Sequence, residues 1–487
     1  MRRSLILVLA LLPLTASSLM ANDANLAARL EQLEAETQSL RAEVQTLRAG
    51  TFRLPAVEAT PAHWSGYAPA TTGASPSAVG ASPSAVGASP AAIDTTSAAD
   101  FYTFEQVQQM MDSTAKKYAW RKGDFTITPY AFLWGSSVYE TERSYVGDYA
   151  LYILSAETNG EDAFHVDARA TRLGIDIAGP RVRLFNCAPS GGKVEFDFQG
   201  QFVTENKPGV LLRHAYWEVK DEDFRLLMGQ TWDVVSPLVP GTIMYSVYWG
   251  AGNIGYRRAQ IRYERFLKFS PYSMITLQGS LNDNIVSDFT SDPDIEGKPS
   301  GWPLVEGRVA WTLGDRGKGS QPVVIGASGH IGEQDFRFGP LTDDPGEHER
   351  RTWSMNADFN VPLTERFGVQ GEVFTGENLG TFLGGILQGV NRQTTESIRS
   401  TGGWVGTWFH WASDWHSYAG WTIDDPFNED ITAASGRIYN SAYFVNLTHD
   451  VTKNFLLGFE VSSWKTLYKD LAPGESVRFE FMAKYGF

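Results

Sequence analysis

The last twelve residues of the chain alternate between apolar and polar side chains. One parity holds Val477, Phe479, Phe481, Ala483, Tyr485 and Phe487, and the other holds Arg478, Glu480, Met482 and Lys484. Because successive side chains of a β-strand point to opposite faces, one face of this segment is apolar and the other is charged. An alternating strand of about 9–11 residues has the length that crosses a bilayer within a closed barrel. We therefore predict that residues 476–487 form a membrane-crossing strand whose charged side chains face the lumen.

The same alternation recurs from residue 124 to the end of the chain, and no segment of helical period interrupts it. It is clearest over residues 193–202, where charged or amide side chains alternate with Val, Phe and Gly. Sixteen segments carry it: 124–134, 163–178, 192–203, 210–219, 223–232, 256–267, 272–283, 302–313, 322–334, 350–361, 366–377, 402–411, 415–424, 437–448, 454–466 and 476–487. The predicted fold class is all-β, a sixteen-stranded antiparallel transmembrane β-barrel, with fourteen or eighteen strands as alternatives.

Short and long connectors alternate between these segments. Short turns are typical of the periplasmic end of such barrels and long loops of the extracellular end. The long connector at 233–255 contains Pro237, Pro240 and Trp249, and we predict that it folds into the pore. The alternative is a surface loop that never enters the lumen.

The residues before the barrel divide into four segments. Arg2 and Arg3 precede an apolar run of about ten residues that is too short to span a bilayer, so residues 1–21 are predicted to be a signal peptide. Residues 22–50 carry a heptad pattern, and residues 51–100 are rich in Ala, Ser, Pro and Gly, which predicts a linker. A short amphipathic helix is predicted at 101–122, at the periplasmic mouth or, alternatively, as a plug, and the barrel domain at 123–487.

The heptad pattern predicts self-association. Its apolar positions are spaced alternately four and three residues apart, at Leu26, Leu30, Leu33, Thr37, Leu40, Val44 and Leu47. This narrow stripe is typical of a coiled coil, whereas a helix packed on the barrel needs a wider apolar face. The sequence leaves open whether two or three chains associate.

Composition narrows the functional classes. The net charge of −15 disfavours nucleic-acid binding, and a single cysteine, Cys187, excludes an intrachain disulfide. Together with the export signal and 62 aromatic residues, this indicates the bacterial outer membrane, with the N-terminal extension in the periplasm. No cofactor and no metal site are predicted.

Arginines at inward positions are the candidate solute contacts. Arg258 and Arg262 share a parity with Gln260 and Glu264, and Arg308 shares one with Glu306. Arg169 shares its parity with Asp167, whereas Arg213 and His214 straddle both faces. Inward acids oppose them, namely Glu195, Asp197, Asp358, Glu372, Glu460 and Glu480. The arginines form either a ladder that attracts anions or structural pairs with carboxylates of neighbouring strands.

Nothing in the sequence predicts catalysis. None of the eight histidines stands in a recognisable nucleophile–base setting. The segment Gly326–His330 lacks the strand–turn–helix context of a hydrolase nucleophile. His410 and His416 flank a tight turn, where an interfacial position is expected rather than a metal site.

Short motifs along the barrel domain resemble the DcaP-like porins. They are Arg169–Gly174, Leu212–Val219, Met228–Trp232, Arg258–Tyr263, Ile423–Pro426, Asn446–Asn454 and Gly458–Trp464. The resemblance implies a homotrimeric outer-membrane channel with an N-terminal periplasmic coiled coil, for dicarboxylates and other small anions. It also implies basic residues at the constriction, and Arg169, Arg172, Arg213, Arg258 and Arg262 occupy the matching motifs. The Ala/Ser/Pro-rich linker departs from the family pattern.

We therefore expect an outer-membrane porin for passive diffusion of small hydrophilic, anionic solutes. Its expected partners are these solutes, outer-membrane lipid, two further copies of the chain and, through the N-terminal extension, the cell wall peptidoglycan. The alternatives are a structural or adhesive protein that tethers the envelope through its coiled coil, and a sugar-selective porin with an aromatic track.

Overall fold

The computed structural model describes residues 119–200, 209–285, 295–298, 300–317, 321–340, 342–433 and 435–487. The predicted signal peptide, coiled coil, linker and most of the amphipathic helix lie outside these residues. The prediction of helix for residues 120–122 is wrong, because Trp120–Lys122 is a strand that pairs with the strand beginning at Phe125. In the described part of the chain, no helix has the length and apolar character needed to cross a bilayer.

The described residues form one continuous antiparallel sheet. Its strands are β1 (Trp120–Lys122), β2 (Phe125–Glu140), β3 (Ala163–Asp167), β4 (Arg172–Val182), β5 (Ala188–Asp197), β6 (Leu211–Lys220), β7 (Phe224–Trp232), β8 (Arg257–Ser270), β9 (Ser273–Asn282), β10 (Ile295–Lys298), β11 (Leu304–Leu313), β12 (Val323–Phe338), β13 (Gly346–Pro362), β14 (Phe367–Glu377), β15 (Arg399–His410), β16 (Trp415–Pro426), β17 (Arg437–Thr452), β18 (Phe455–Tyr468) and β19 (Gly474–Gly486).

The sheet closes into a sixteen-stranded barrel. β3 and β4 both pair with β2 and are two parts of one interrupted strand, whereas β1 and β10 are short additions at the ends of the barrel. The last strand, β19, pairs with β2 and so closes the cylinder. All sixteen predicted segments coincide with these strands, and the prediction of a closed sixteen-stranded antiparallel barrel is confirmed.

The closing strand has the faces that its alternation predicts. Arg478, Glu480 and Lys484 are buried inside the barrel, while Phe479 and Phe481 are exposed on its outer surface. The backbone of Phe487 exchanges hydrogen bonds of 3.0 and 3.1 Å with Ala131. The strand therefore joins the first and last parts of the barrel through to its final residue.

The outer surface is apolar at alternate positions of successive strands. Exposed side chains include Leu277, Val309, Ile325, Val373, Val445, Phe459 and Phe481. A closed cylinder leaves no unpaired strand edge, so its backbone needs no hydrogen bonds from the surrounding solvent. Its apolar exterior is therefore stable in the hydrocarbon of a bilayer. The barrel therefore spans a membrane.

The apolar core of the molecule lies inside the barrel. Three long connectors from one end fold into the lumen: the first loop (141–162), the inner loop (233–256) and the sixth loop (378–398). Tyr248 of the inner loop stacks on Phe444 and Trp464 of the wall, with ring centroids 4.8 and 5.1 Å apart. The prediction that this connector folds inward is confirmed, and it fills the side of the lumen next to β15–β19.

Candidate pore constriction

Carboxyl groups of the barrel wall hold the inner loop by its backbone. Val234 donates its N–H to Oε2 of Glu306 at 2.5 Å, and Leu238 donates to Oε1 of Glu372 at 2.6 Å. Ile243 donates to Oε2 of Glu460 at 3.0 Å. A buried N–H without an acceptor is costly, so an inward loop requires such acceptors on the wall. Three of the inward acids thus anchor a loop, a role that their parity alone could not reveal.

The two ends of the inner loop are joined to each other. Asp233 donates its N–H to the carbonyl oxygen of Tyr256 at 2.8 Å, and Tyr256 donates its N–H to Oδ2 of Asp233 at 2.8 Å. Nη1 of Arg258 also donates to Oδ2 of Asp233. Because both ends are fixed, the loop enters and leaves the wall at one narrow neck.

A cavity of about 450 Å³ remains beside the inner loop, and residues of β2, β4–β9 and β11–β13 line it. The loop contributes an apolar side that includes Val234, Val235, Leu238, Val239 and Val247. The strands contribute a basic side: among the described lining residues seven are Arg or Lys, namely Arg172, Lys193, Arg213, Arg225, Arg257, Arg262 and Arg308. The lining carboxylates are Glu195, Asp233 and Glu264. Among the described residues, this cavity is therefore lined by more cations than anions, although the whole chain is acidic.

Two of the predicted arginines do not reach this cavity. Arg169 is bound between Asp167 and Asp148, with N–O distances of 2.5 and 2.6 Å. Arg258 pairs with Asp233, donates to the carbonyl oxygen of Thr381 at 2.6 Å and lies 3.7 Å above the ring of Phe382. Both arginines join loops to the wall, in agreement with the alternative that the arginines form structural pairs with carboxylates.

Asp148 belongs to the first loop and faces a second carboxylate. Burial and the nearby charge of Asp167 together raise the pKa of Asp148 to about 6, against the opposing effect of Arg169. The ion pair with Arg169 is therefore strongest above pH 6, where Asp148 is ionised.

Arg213 faces the lumen because of a β-bulge. In the pairing of β5 with β6, Glu195 is opposite His214 and Phe196 is opposite Leu212, so that Arg213 is the extra residue. Both Arg213 and His214 are consequently buried on the inner side. A bulge of this kind breaks the period of two, which is why the sequence placed the pair on opposite faces.

Tyr245 of the inner loop links the basic residues of two strands. Its hydroxyl accepts hydrogen bonds from Nε of Arg172 and Nη1 of Arg213, each at 3.0 Å. The same hydroxyl donates to Oδ2 of Asp197 at 2.7 Å. Arg213 also lies 2.7 Å from Oε1 of Glu195, so its charge is largely neutralised by carboxylates.

Arg262 and Arg308 line the cavity but have partners in the wall. Arg308 makes a bidentate pair with Asp358, with Nε–Oδ1 and Nη2–Oδ2 distances of 3.0 and 2.6 Å. Arg262 donates to Oε1 of Gln260 at 2.8 Å and to the carbonyl oxygen of Trp232. These contacts fix the guanidinium groups at the cavity surface.

Arg257 is one of two lining arginines, with Arg225, that the sequence did not single out. It belongs to the parity opposite to that of Arg258, yet both are buried, because Arg257 is the first residue of β8, where the inner loop covers the strand end. Its guanidinium lies 4.6 Å from the ring centroids of Trp232 and Tyr256. A loop packed over a strand end is a tertiary feature that alternation cannot report.

The candidate catalytic and metal-binding residues have structural contacts. Gly326–His330 lies within β12, and His330 forms hydrogen bonds with Ser354 and Thr352 at 2.7 and 2.9 Å. Nδ1 of His410 and Nδ1 of His416 lie 2.9 Å apart at their turn. Within the part of the chain that the structure describes, no three His, Cys, Asp or Glu side chains form a group able to hold a metal ion.

The barrel is similar to solved channel structures. The outer membrane channel DcaP of Acinetobacter baumannii superposes with a TM-score of 0.59 at 19% identity, over 75% of this chain and 99% of that one. OmpT of Vibrio cholerae gives a TM-score of 0.47 at 12% identity, over 76% and 100%. OmpF of Salmonella typhi gives 0.45 at 12% identity, over 76% and 100%.

No family model matches the sequence, and no curated protein matches it. The similarity to DcaP therefore rests on the fold, and it covers almost the whole of that channel. It agrees with the resemblance found in the sequence motifs and with the expected outer-membrane location. The chain is a sixteen-stranded antiparallel barrel with the fold of a bacterial outer-membrane channel.

Proposed function

We propose that the protein is an outer-membrane porin for passive diffusion of small hydrophilic, anionic solutes, dicarboxylates among them. The observation that carries this proposal is the lining of the cavity beside the inner loop, with seven Arg or Lys side chains against three carboxylates among the described residues. In a narrow channel with low-dielectric walls, such an excess raises the local concentration of anions.

The inner loop sets the size class of the solute. It fills the side of the lumen next to β15–β19 and leaves a cavity of about 450 Å³ along the basic strands. Cavities of roughly 300–1,000 Å³ hold ligands up to the size of drug molecules, so small metabolites fit and folded chains do not. Diffusion along the basic wall needs no moving part and no cofactor.

The assembly and the periplasmic contacts belong to the same proposal. We infer a homotrimer held by the barrels and by the heptad segment at 22–50, with the linker at 51–100 leaving the extension free to reach the peptidoglycan. Size determination of the detergent-extracted protein, with and without residues 22–50, tests the first part. A trimer that persists without the segment assigns trimerisation to the barrels, and a monomer in both forms contradicts the proposal.

Liposome swelling tests the transport function. Purified protein reconstituted into liposomes should admit succinate faster than a neutral solute of similar size, such as erythritol, because the basic wall attracts the dianion. Heat-denatured protein in the same lipid is the control for leakage. Equal rates for both solutes would contradict the anion preference, and rates at the control level would contradict the channel itself.

A further inference from the structure

The inner face of the barrel changes from polar to apolar towards its periplasmic end. In the middle of the barrel, inward positions of β8 and β9 hold Glu264 and Gln278. Next to the short turns, the inward positions of β8, β9 and β12 hold Phe266, Met274 and Val324, which line the cavity and are half-buried. Covering apolar side chains that face water is favourable. The cavity therefore ends, at its periplasmic opening, on a surface suited to an apolar partner.

The apolar side chains at this opening lie side by side. Met274 is opposite Thr312 and Thr312 is opposite Val324, so that they form a row across β9, β11 and β12. Phe266 lies on the adjacent strand β8, and the inner loop adds the apolar residues 237–239 to the lining. We call Phe266, Met274, Val324 and residues 237–239 the apolar rim. Because the rim lines the cavity and its strand residues are partly exposed, a partner that approaches from the periplasm reaches it directly.

The chain enters the barrel at the same end. β1 pairs with the first residues of β2, and Thr126 of β2 is opposite Ala178, which lies close to the short turn at 183–187. Residues 101–118 directly precede β1 and are therefore attached at the periplasmic opening. Sixteen strands form a cylinder roughly 30 Å across, and a helix of this length is about 27 Å long. The segment can thus extend from its attachment at β2 to the rim on the opposite wall.

The sequence of residues 101–118 predicts an amphipathic helix. Phe104, Val107, Met111 and Tyr118 follow one another at intervals of three, four and seven residues. Intervals of this kind place the four side chains on one face of a helix. The predicted face is large and apolar, which is the character needed to cover the apolar rim.

The charges of the segment complement those of the cavity. Its acidic residues, Glu105 and Asp112, with Asp100 just before it, lie away from β1, whereas its basic residues, Lys116 and Lys117, lie next to β1. The part that reaches furthest across the opening is thus acidic. It faces a cavity lined by seven Arg or Lys side chains and three carboxylates among the described residues. Opposite charges on the two surfaces favour this orientation.

The size of the cavity decides how such a helix docks. A helix about 10–12 Å wide and 27 Å long occupies roughly 2,000–3,000 Å³. The cavity has a volume of about 450 Å³, so the whole helix cannot enter it. Apolar side chains can insert against the rim while the helix backbone lies across the opening.

We propose that the apolar rim is the docking surface for residues 101–118 of the same chain, which lie across the periplasmic opening of the cavity and narrow it. This proposal rests on the proposed function, because it adds a regulatory contact to the same pore. Docking restricts passage without a change in the barrel wall, and release of the segment restores the full opening.

Disulfide formation between the segment and the rim tests the contact in the full-length protein. Cys187→Ser removes the exposed native thiol, and Phe104→Cys or Val107→Cys is then combined with Val324→Cys. Copper phenanthroline oxidises the variants in isolated outer membranes. A disulfide joins Cα atoms no more than about 7 Å apart, so it forms only where the segment docks. The expected result is a monomer band of altered migration that dithiothreitol abolishes, and its absence from both pairs overturns the proposal.

Two controls locate the contact. In the first, Ile325→Cys replaces Val324→Cys; Ile325 is the next residue of β12 and is 51% exposed on the outer face of the barrel. In the second, Gln106→Cys replaces Phe104→Cys and lies on the polar side of the predicted helix. A disulfide in either control to the same extent as in the test pairs overturns the proposal. Disulfide-linked dimers also overturn it, because the occupant would then be the segment of a second copy.

Single-channel conductance in a planar bilayer tests the effect on the pore. Deletion of residues 101–118 should raise the conductance about twofold or more, because pore width limits the current. Deletion of the equally long linker segment 75–92 is the matched control and should leave the conductance unchanged. Equal conductance of the wild type and the variant without residues 101–118 overturns the proposal and leaves the proposed function standing. A wild type that forms no channels contradicts the proposed function instead. Heat-modifiable migration on gels verifies that each variant is folded.

Discussion

Replacing Glu460 by Ala removes the acceptor that holds the middle of the inner loop. The carboxyl group accepts hydrogen bonds from the Thr242 hydroxyl at 2.7 Å, from the N–H of Ile243 at 3.0 Å and from the Tyr248 hydroxyl at 2.9 Å. The side-chain amide of Asn446 adds a fourth at 2.9 Å. All four donors are then left in the packed half of the lumen.

The magnitude follows from these four donors. A buried donor without an acceptor costs about 1–3 kcal/mol, and entry of water relieves part of the sum. Even a net loss of about 3 kcal/mol shifts the balance between the packed and released loop by roughly two orders of magnitude. The ends of the loop stay clamped by Asp233 and Tyr256, so the barrel itself should still fold.

Single-channel recording and liposome swelling measure the result. Glu460→Ala should give a larger and noisier conductance and should admit a trisaccharide that the wild type excludes. Glu460→Gln, which keeps an acceptor, should lie between the two. Glu218→Gln is the matched control, because Glu218 is a wall carboxyl that pairs with Arg225 rather than with the loop and is not among the lining residues of the cavity. A folded Glu460→Ala variant with wild-type conductance and exclusion limit would refute the anchoring role.

Three further predictions concern the lumen and its loops. Asp358→Asn should increase anion preference and Arg308→Gln should decrease it, since each leaves the other partner of a bidentate pair uncompensated. Zero-current potentials that shift from the wild-type value in the same direction in both variants would contradict this. Gly252→Ala should loosen the inner loop and raise conductance, because the residue has φ +115° and an added Cβ would lie 2.3 Å from the carbonyl oxygen of Gly403. Gly301→Ala is the control and should leave conductance unchanged, because an added Cβ there has no atom within 4 Å. Because folding raises the pKa of Asp148 to about 6, the folded state favours the protonated carboxyl. The resulting gain in the free energy of unfolding is present at low pH and is lost as the pH rises through 6. In denaturant unfolding the wild type should therefore gain stability relative to Asp148→Asn between pH 7.5 and pH 5, and a constant difference would contradict the shift.

The barrel could be predicted from the sequence because its period is local. Each strand contributes an alternation that a reader can see without knowing its neighbours, and sixteen such segments coincide with the strands of the structure. The strand ends are predicted less accurately: β2 continues to Glu140, beyond the predicted 134, because its residues 136–140 pair with β3.

The constriction could be predicted only in part, because loops and irregularities create it. The parity of β8 correctly placed Arg262 on the inner side, but the bulge that turns Arg213 inward leaves no periodic signal. Arg257 was missed since the inner loop, not the strand, encloses it. The sequence analysis sets Glu372 and Glu460 against the arginines and places Glu306 on the parity of Arg308, whereas all three accept backbone N–H groups of that loop.

The zero-current potential of the wild-type channel under a gradient of potassium chloride tests the central claim most directly. The excess of Arg and Lys on the open lumen requires that chloride cross more easily than potassium. The zero-current potential should therefore have the sign of the chloride equilibrium potential, and it should move towards zero in Arg257→Gln. A potential on the potassium side, or a membrane without channels, would contradict the claim.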